Sequence, residues 1–449
     1  MSKAPKLTEV SVQGLLGRFN HTIKFPAEQE FVIVYGPNGI GKTKLLELIS
    51  NTFALKLGRV SRSPFTRALF SFDDGTRLTV ENLATSTSED QGDYEYTLRL
   101  LLEESGGENI EWANTRDQAD LREMPTSRWM RLLEKYTPAR YAGSGRWVDH
   151  ETGQILNRTE AIERYGFLIP SELVPFPQLP ETIKNFLRAA DVHLIETQRL
   201  LTRVSTSRET SRGEPSNRIT VREFSEDFSR RMHEALAQNS RTSQELDRTF
   251  PRRLLSAGYP PVEATEEAIR IRYNEQSELR DRLAEISLLQ SSSDLPLPDK
   301  KLDASQRLVL WTYLDDSERK LATFENLLTR VQLFRDIVNS RFQFKQLRLN
   351  RGGFSFVTDL GQEIPAESLS SGEQHELVLA YDLLFNVAEN SLVLIDEPEI
   401  SLHVAWQQEF LNDIAKIANT ASLRFIVATH SPQVIHKWRS RAVSLGADN

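Results

Sequence analysis

The period of hydrophobic and polar positions changes several times along the chain. Val10, Val12, Leu15 and Leu16 lead in strand fashion to Phe19, and His21 to Phe25 predicts a second short strand. Phe31-Val32-Ile33-Val34-Tyr35 is a continuous β-favouring run, as expected for a strand buried on both faces of a parallel sheet. It meets a Gly/Pro/Asn turn and then Lys44 to Ile49, which is helical in character. Residues 65–112 read as an antiparallel meander. Phe70, Phe72, Leu78 and Val80 flank the turn Asp73-Asp74-Gly75, and Tyr94, Tyr96, Leu98 and Leu100 alternate with polar partners. Trp129, Met130, Leu132 and Leu133 predict a short helix, Trp147 to Ile155 a hairpin, and Val192 to Ile195 another strand.

After Arg203 the pattern turns polar from Ser205 to Asn217 and then helical, over Glu223–Leu236, Glu263–Leu289 and Leu302–Phe344. In the last stretch Leu308, Leu314, Leu321, Leu328, Val331 and Val338 fall mostly three and four apart, which predicts one long amphipathic helix or a helical pair. Pro251, Pro260-Pro261 and Pro296-Leu297-Pro298 are expected to interrupt the helices, favouring a compact bundle over a long coiled-coil arm. Strands return at Phe344–Leu349 and Phe354–Val357, then a helix over 372–387, the strand Leu392–Ile395, a helix over Val404–Ile417 and a strand over Leu423–Ala428. Alternating β and α at both ends implies an α/β fold: one parallel sheet assembled from the two ends of the chain, an antiparallel β subdomain and a helical insertion. The expected division is 1–203, 204–345 and 346–449.

Composition narrows the function classes. The chain has 449 residues, 39% hydrophobic and 26% charged, an ordinary globular balance. The absence of cysteine excludes disulfides, thiolate metal sites and a cysteine nucleophile. A net charge of −8 argues against a constitutively basic nucleic-acid binder. Residues 1–6 lack a signal-peptide core, and no long apolar run predicts a membrane span, so a cytoplasmic protein without membrane contact is expected.

Gly36-Pro37-Asn38-Gly39-Ile40-Gly41-Lys42-Thr43 matches G-x-x-x-x-G-K-[ST] between a predicted strand and a predicted helix. Gly39 and Gly41 let the backbone curl so that N–H groups, Asn38 among them, point at one anion, and the helix adds its positive end. Lys42 would bridge the β- and γ-phosphates of ATP, and Thr43 would ligate Mg²⁺. Leu392 to Ile395 ends in Asp396-Glu397-Pro398, where Asp396 can hold Mg²⁺ and Glu397 can polarise an attacking water. Read singly, this is also a solvated strand end. Ser370 and Glu373 make a capping box at the start of a helix, and the same N–H groups near Ser370 and Gly372 could face a γ-phosphate. His430 follows the last strand, and on its own is a loop histidine.

The order along the chain decides between these readings. Phosphate loop, Leu369-Ser370-Ser371-Gly372-Glu373-Gln374, acidic strand and then Ala428-Thr429-His430-Ser431 resembles the head of ABC-type ATPases. The resemblance covers about half the chain. It implies that His430 contacts the γ-phosphate and that Gln198, after the strand at 192–195, reaches the Mg²⁺. The form of the Ser-Gly motif is similar to the SMC and OLD (overcoming lysogenisation defect) branch rather than to transporters. Ile195 to Leu200 and Glu397-Pro398-Glu399-Ile400-Ser401-Leu402-His403 are more closely similar to the stand-alone ATPases of bacterial antiphage systems, the AriA family of PARIS first and the PtuA family of Septu second. That resemblance implies a head-to-tail homodimer within a higher homo-oligomer, a separate effector nuclease of Toprim type, and a phage protein as trigger. The alternative is an SMC-like ATPase acting on DNA. The arginines from Arg199 to Arg253, including Arg218, Arg222, Arg230, Arg231, Arg241 and Arg248, could touch DNA or an acidic phage protein, or form a solvated face among interspersed acids.

Overall fold

The computed structural model describes residues 5–26, 28–86, 94–107, 109–114, 126–143, 145–150, 153–165, 179–196, 216–290, 296–402 and 404–446. Contacts gather the chain into two compact units, Met1–Thr197 with Ala388–Ile400 and Gln407–Asn449, and Gln198–Val387 with Ser401–Trp406.

The first unit carries β1 (Leu7–Leu15), β2 (Phe19–Lys24), β3 (Phe31–Tyr35), α1 (Lys42–Phe53), α2 (Leu57–Arg62), β4 (Arg67–Phe72), β5 (Arg77–Ser86), β6 (Tyr94–Glu103) and β7 (Ile110–Asn114). A small α/β segment follows, α3 (Thr126–Tyr136), β8 (Ala139–Gly143), β9 (Arg146–Asp149), β10 (Ile155–Asn157) and α4 (Arg158–Tyr165), then α5 (Glu181–Ala189) and β11 (Val192–Glu196). Among the described residues β1, β2 and β4–β7 form one antiparallel sheet in the order β2-β1-β4-β5-β6-β7. The predicted meander is its greater part, and the predicted hairpin is β9–β10, with Val148 opposite Ile155.

The second unit is built on α6 (Ser216–Ala257), α7 (Glu266–Glu285), α8 (Ala304–Ala322) and α9 (Glu325–Arg341). A hairpin sheet, β12 (Lys345–Asn350), β13 (Gly353–Thr358) and β14 (Glu363–Pro365), precedes α10 (Ser371–Tyr381). The predicted stretch 302–344 is thus a helical pair, broken at Thr323-Phe324, where Phe324 and Leu321 are buried. Two expectations are corrected here. The first helix runs 42 residues rather than Glu223–Leu236. Beyond Met232 the one apolar residue of this helix that is buried is Leu246, so the hydrophobic period fades while the helix continues. Pro251 lies inside this helix and does not interrupt it. A proline there lacks the N–H that would reach the Asp247 carbonyl four residues back; beside it the Leu246 carbonyl accepts from Arg253 Nη2 at 3.0 Å and from Thr249 Oγ1 at 3.1 Å, side-chain bonds that brace this turn. Arg253 is itself fixed by two 2.6 Å bonds to buried Asp316.

The chain returns to the first unit with β15 (Leu392–Asp396), α11 (Val404–Ala421, shared between the units), β16 (Arg424–Thr429), α12 (Pro432–Ile435) and β17 (Ala442–Ser444). Among the described residues the parallel sheet has the order β11-β15-β16-β3-β17. Every residue of β16 is buried, and so are Phe31–Val34 and Leu392–Ile395, which is why these strands read as unbroken apolar runs. Side chains of α1 (Leu45, Leu46, Leu48, Ile49, Phe53) join the strands of both large sheets into one core, and the small α/β segment has its own around Trp129 and Trp147. No described helix is long and apolar enough to cross a membrane.

Candidate functional site

Strand register brings the predicted motifs to one edge. Tyr35, the last residue of β3, pairs with Thr429 of β16; Ala428 pairs with Asp396 of β15, and Asp396 with Glu196 of β11. The phosphate loop, the acidic turn and the histidine turn therefore leave adjacent strands at their carboxyl ends, where open α/β sheets place their ligands. Gln198 lies outside the described residues.

After β3 the chain turns through exposed Asn38 and Gly39, and Gly39 and Gly41 take positive φ values of 83° and 95°. A side chain at Gly41 would be strained in that conformation and would also approach Leu15 to 2.9 Å. Gly41 caps α1 without any side-chain bond, so the first turn of the helix offers its N–H groups to an anion. Lys42 is buried, and its ammonium donates to the carbonyls of Gly36 at 2.9 Å and Pro37 at 3.3 Å, which hold it across the loop.

The Thr43 hydroxyl donates to the Asp396 carboxylate. Burial pushes that carboxyl up to about 6 despite the Thr43 bond and the Lys42 charge, and Glu397 adds to the rise. An alcohol and an under-compensated carboxylate in contact are a donor set for a hard divalent cation, so the residues present fit Mg²⁺. Glu397 sits in the left-handed region at φ 46°, its N–H held by the Ala428 carbonyl at 2.8 Å. Such a conformation is sparsely populated for a glutamate and is sustained by its surroundings. His430 Nδ1 lies 3.5 Å from Glu397 Oε1 and 3.1 Å from Glu399 Oε1. Lys42, Thr43, Asp396, Glu397 and His430 thus form one constellation.

Ser370 and Gly372 belong to the second unit. The capping box is formed in full. Ser370 Oγ accepts from the Glu373 N–H at 3.4 Å, and the Ser370 N–H donates to Glu373 Oε2 at 2.9 Å. Burial would raise the Glu373 carboxyl, but Lys345, 2.8 Å from both its oxygens, and Ser370 hold it below the usual carboxylate range. Gly372 is half-buried, and a Cβ there would meet nothing within 4 Å. On the next helical turn His375 is buried, which pushes it down to about 4.

Other groups at the site were invisible to motif reading. His21 is buried, stacked on Phe19, with its Nε2 2.9 Å from the Ile40 carbonyl, so it braces the phosphate loop. Leu445 and Gly446 pack on the same loop, since a Cβ on Gly36 would meet the Leu445 carbonyl at 2.9 Å and one on Gly446 would meet Ile40 at 2.6 Å. Of the arginines of α6, Arg222, Arg230, Arg231 and Arg253 pair with carboxylates of the same unit. Among the described residues no cluster of three or more His, Asp or Glu is grouped as a metal site.

Residues 196–436, just over half of the chain, match the family described as "AAA domain, putative AbiEii toxin, Type IV TA system". The chain belongs to this family. The matched stretch begins after the phosphate loop, takes in the helical unit and ends just past the histidine turn. A 114-residue stretch is 33% identical to the Retron Ec83 probable ATPase of Escherichia coli, covering 23% of this chain and 21% of that one. A 97-residue stretch is 34% identical to the Retron Vc95 probable ATPase of Vibrio cholerae, covering 19% and 18%. A spermidine/putrescine import ATP-binding protein, PotA of Mesomycoplasma hyopneumoniae, is 31% identical over 161 residues, 34% of this chain and 35% of that one. The matches thus span a fifth to a third of these curated relatives. Among solved structures, the Smc head domain of Pyrococcus furiosus bound to the C-terminal domain of ScpA aligns over 98% of this chain and 93% of that one, at 14% identity and a TM-score of 0.35. The acidic turn and the histidine turn lie within the matched AAA domain, and the phosphate loop lies before it.

Proposed function

We propose that the chain binds ATP with Mg²⁺ and hydrolyses it in a head-to-tail homodimer, as the nucleotide switch of an antiphage defence system. The observation that carries the reading is the meeting of Thr43 with Asp396 beside Lys42, Glu397 and His430. In this reading Lys42 and the first-turn N–H groups of α1 bind the phosphate chain. Thr43 and Asp396 would hold the Mg²⁺, with Gln198 as a further contact, and the bound ion would supply charge neutralisation at the phosphate oxygens. Glu397 orients and polarises the attacking water, and His430 steadies the γ-phosphate. Ser370 and Gly372 of a second copy close each site across a two-fold interface that holds two nucleotides. Loss of the γ-phosphate then loosens the pair.

The similarity to two retron ATPases, a class associated with antiphage defence, supports the biological part. Our finer reading is an ATPase of the AriA type, with PtuA second, in the cytoplasm. It forms a higher homo-oligomer that holds a separate Toprim-type effector nuclease and releases it on meeting a phage protein. The test is sedimentation of the Glu397→Gln chain with its co-expressed partner nuclease. ATP should drive self-association, and the trigger should free the nuclease. A chain that stays monomeric with ATP and Mg²⁺ would overturn the dimer. An SMC-like ATPase acting on DNA is the second reading, favoured by exposed Arg241, Arg248 and Arg252 on α6. Salt-dependent DNA binding lost on reversing those charges would select it.

A further inference from the structure

Glu399 stands two residues beyond Glu397, and nothing in the ATPase reading gives it a task. Its side chain is buried at 7% exposure. One oxygen, Oε1, accepts the Thr429 hydroxyl at 2.7 Å, the His430 N–H at 2.8 Å and the Ser431 N–H at 3.1 Å. The His430 imidazole places Nδ1 3.1 Å from the same oxygen. The other oxygen is buried and, among the described residues, has no hydrogen-bond partner. A second tie runs in parallel. Gln407 of α11 donates from Nε2 to the Glu399 carbonyl at 3.1 Å, and its Oε1 accepts the Ser431 hydroxyl at 3.2 Å.

Among the described residues the only basic side chain within ion-pair distance of Glu399 is this histidine. A carboxylate buried with dipoles and an imidazole for company is an expensive way to stabilise a turn, and a neutral side chain would do that at lower cost. What a carboxylate supplies and a neutral acceptor supplies poorly is control of an imidazole. It attracts the Nδ1 proton, and so fixes which ring nitrogen is left for a substrate.

We propose that Glu399 is the positioning residue of the histidine turn. It locks residues 429–431 into one geometry and accepts the Nδ1–H of His430, leaving Nε2 for the γ-phosphate. Gln407 ties the two turns together from the helix side. The inference rests on the hydrolytic reading given above and adds a residue to it. His430 touches the substrate in that reading, and Glu399 acts only through His430.

The experiment uses the full chain with Glu399→Gln, Glu399→Ala, His430→Ala and the double variant Glu399→Gln/His430→Ala. In Glu399→Gln the KM for ATP should stay within about twofold while kcat falls roughly 10- to 100-fold, the usual loss when the group orienting an imidazole is removed. The double variant should be no slower than His430→Ala alone, because two residues acting as one unit do not multiply their losses. Without nucleotide, backbone amides 430 and 431 should exchange faster in Glu399→Gln while the rest of β16 is unchanged, and nitrogen NMR should show His430 losing its single tautomer. A wild-type chain that hydrolyses no ATP would sink the hydrolytic reading, and the exchange and tautomer measurements would still decide the role of Glu399. Wild-type kcat in Glu399→Gln, losses that multiply in the double variant, or unchanged exchange and tautomer would each overturn the proposal. Should Glu399→Ala fail to fold, the isosteric glutamine variant carries the test.

Discussion

The two units handle a buried carboxylate in opposite ways. In the second unit Glu373 is held below its ordinary value by Lys345 and by the capping box it shares with Ser370. In the first, burial pushes Asp396 up to about 6, against the Thr43 hydrogen bond and the Lys42 charge. The backbone differs as well. Around Ser370 the chain passes from extended to helical without strain, whereas Glu397, Gly39 and Gly41 all occupy the left-handed region. One turn has its local chemistry complete and can serve as a rigid surface. The other is charged, strained and in want of a cation, which is the condition of a site that does work on a ligand.

Four measurements would break or sharpen that contrast. The largest effect is expected from Lys42→Ala, which removes the one ammonium inside the phosphate loop and should abolish nucleotide binding by calorimetry with the fold intact. Next is Glu397→Gln, which should bind ATP but lose roughly 10²- to 10⁴-fold in kcat, as for loss of a general base; hydrolysis at the wild-type rate would remove Glu397 from its role. Third, without ligand, Asp396→Asn should leave the melting temperature unchanged or raise it while destroying Mg²⁺-dependent binding, because the buried charge is a liability until a cation arrives. Glu373→Gln should instead cost about 1 kcal/mol, the usual price of a lost cap. The same sign for both would dissolve the comparison.

The last effect is confined to acid and concerns His375. Its folded-state value of about 4 lies below 6.5, so between those values the unfolded chain binds the extra proton. Its contribution is complete above pH 6.5 and is lost as pH falls toward 4, by roughly 3 kcal/mol at most. Melting temperatures should therefore drop over that window, and His375→Phe should flatten the drop. An equal drop in the variant would assign it to other groups.

Much of this molecule was legible beforehand, and for identifiable reasons. Phe31–Tyr35, Leu392–Ile395 and Leu423–Ala428 are strands buried on both faces, so burial writes itself into the sequence as an unbroken apolar run. The phosphate loop could be read because its glycines and its lysine leave few other uses for that spacing. Less legible was α6, whose middle buries little and so shows no period, and Pro251, a residue that usually ends a helix, concealed a continuous one. The strand β17 is three residues of ordinary composition and exists because β3 offers it an edge.

The amino-acid order by itself determined which residues could bind a phosphate, a metal and a water, since those capacities belong to side-chain types at fixed spacing. Tertiary structure alone decided that Thr43 meets Asp396, that His21 braces Ile40 rather than standing free, and that Glu399 grips the turn bearing His430. These depend on the parallel register that sets Ala428 beside Asp396 and Tyr35 beside Thr429, the latter two drawn from opposite ends of the chain. Local sequence carries no record of such pairings, because hydrogen bonds between strands are made by backbone groups that every residue shares.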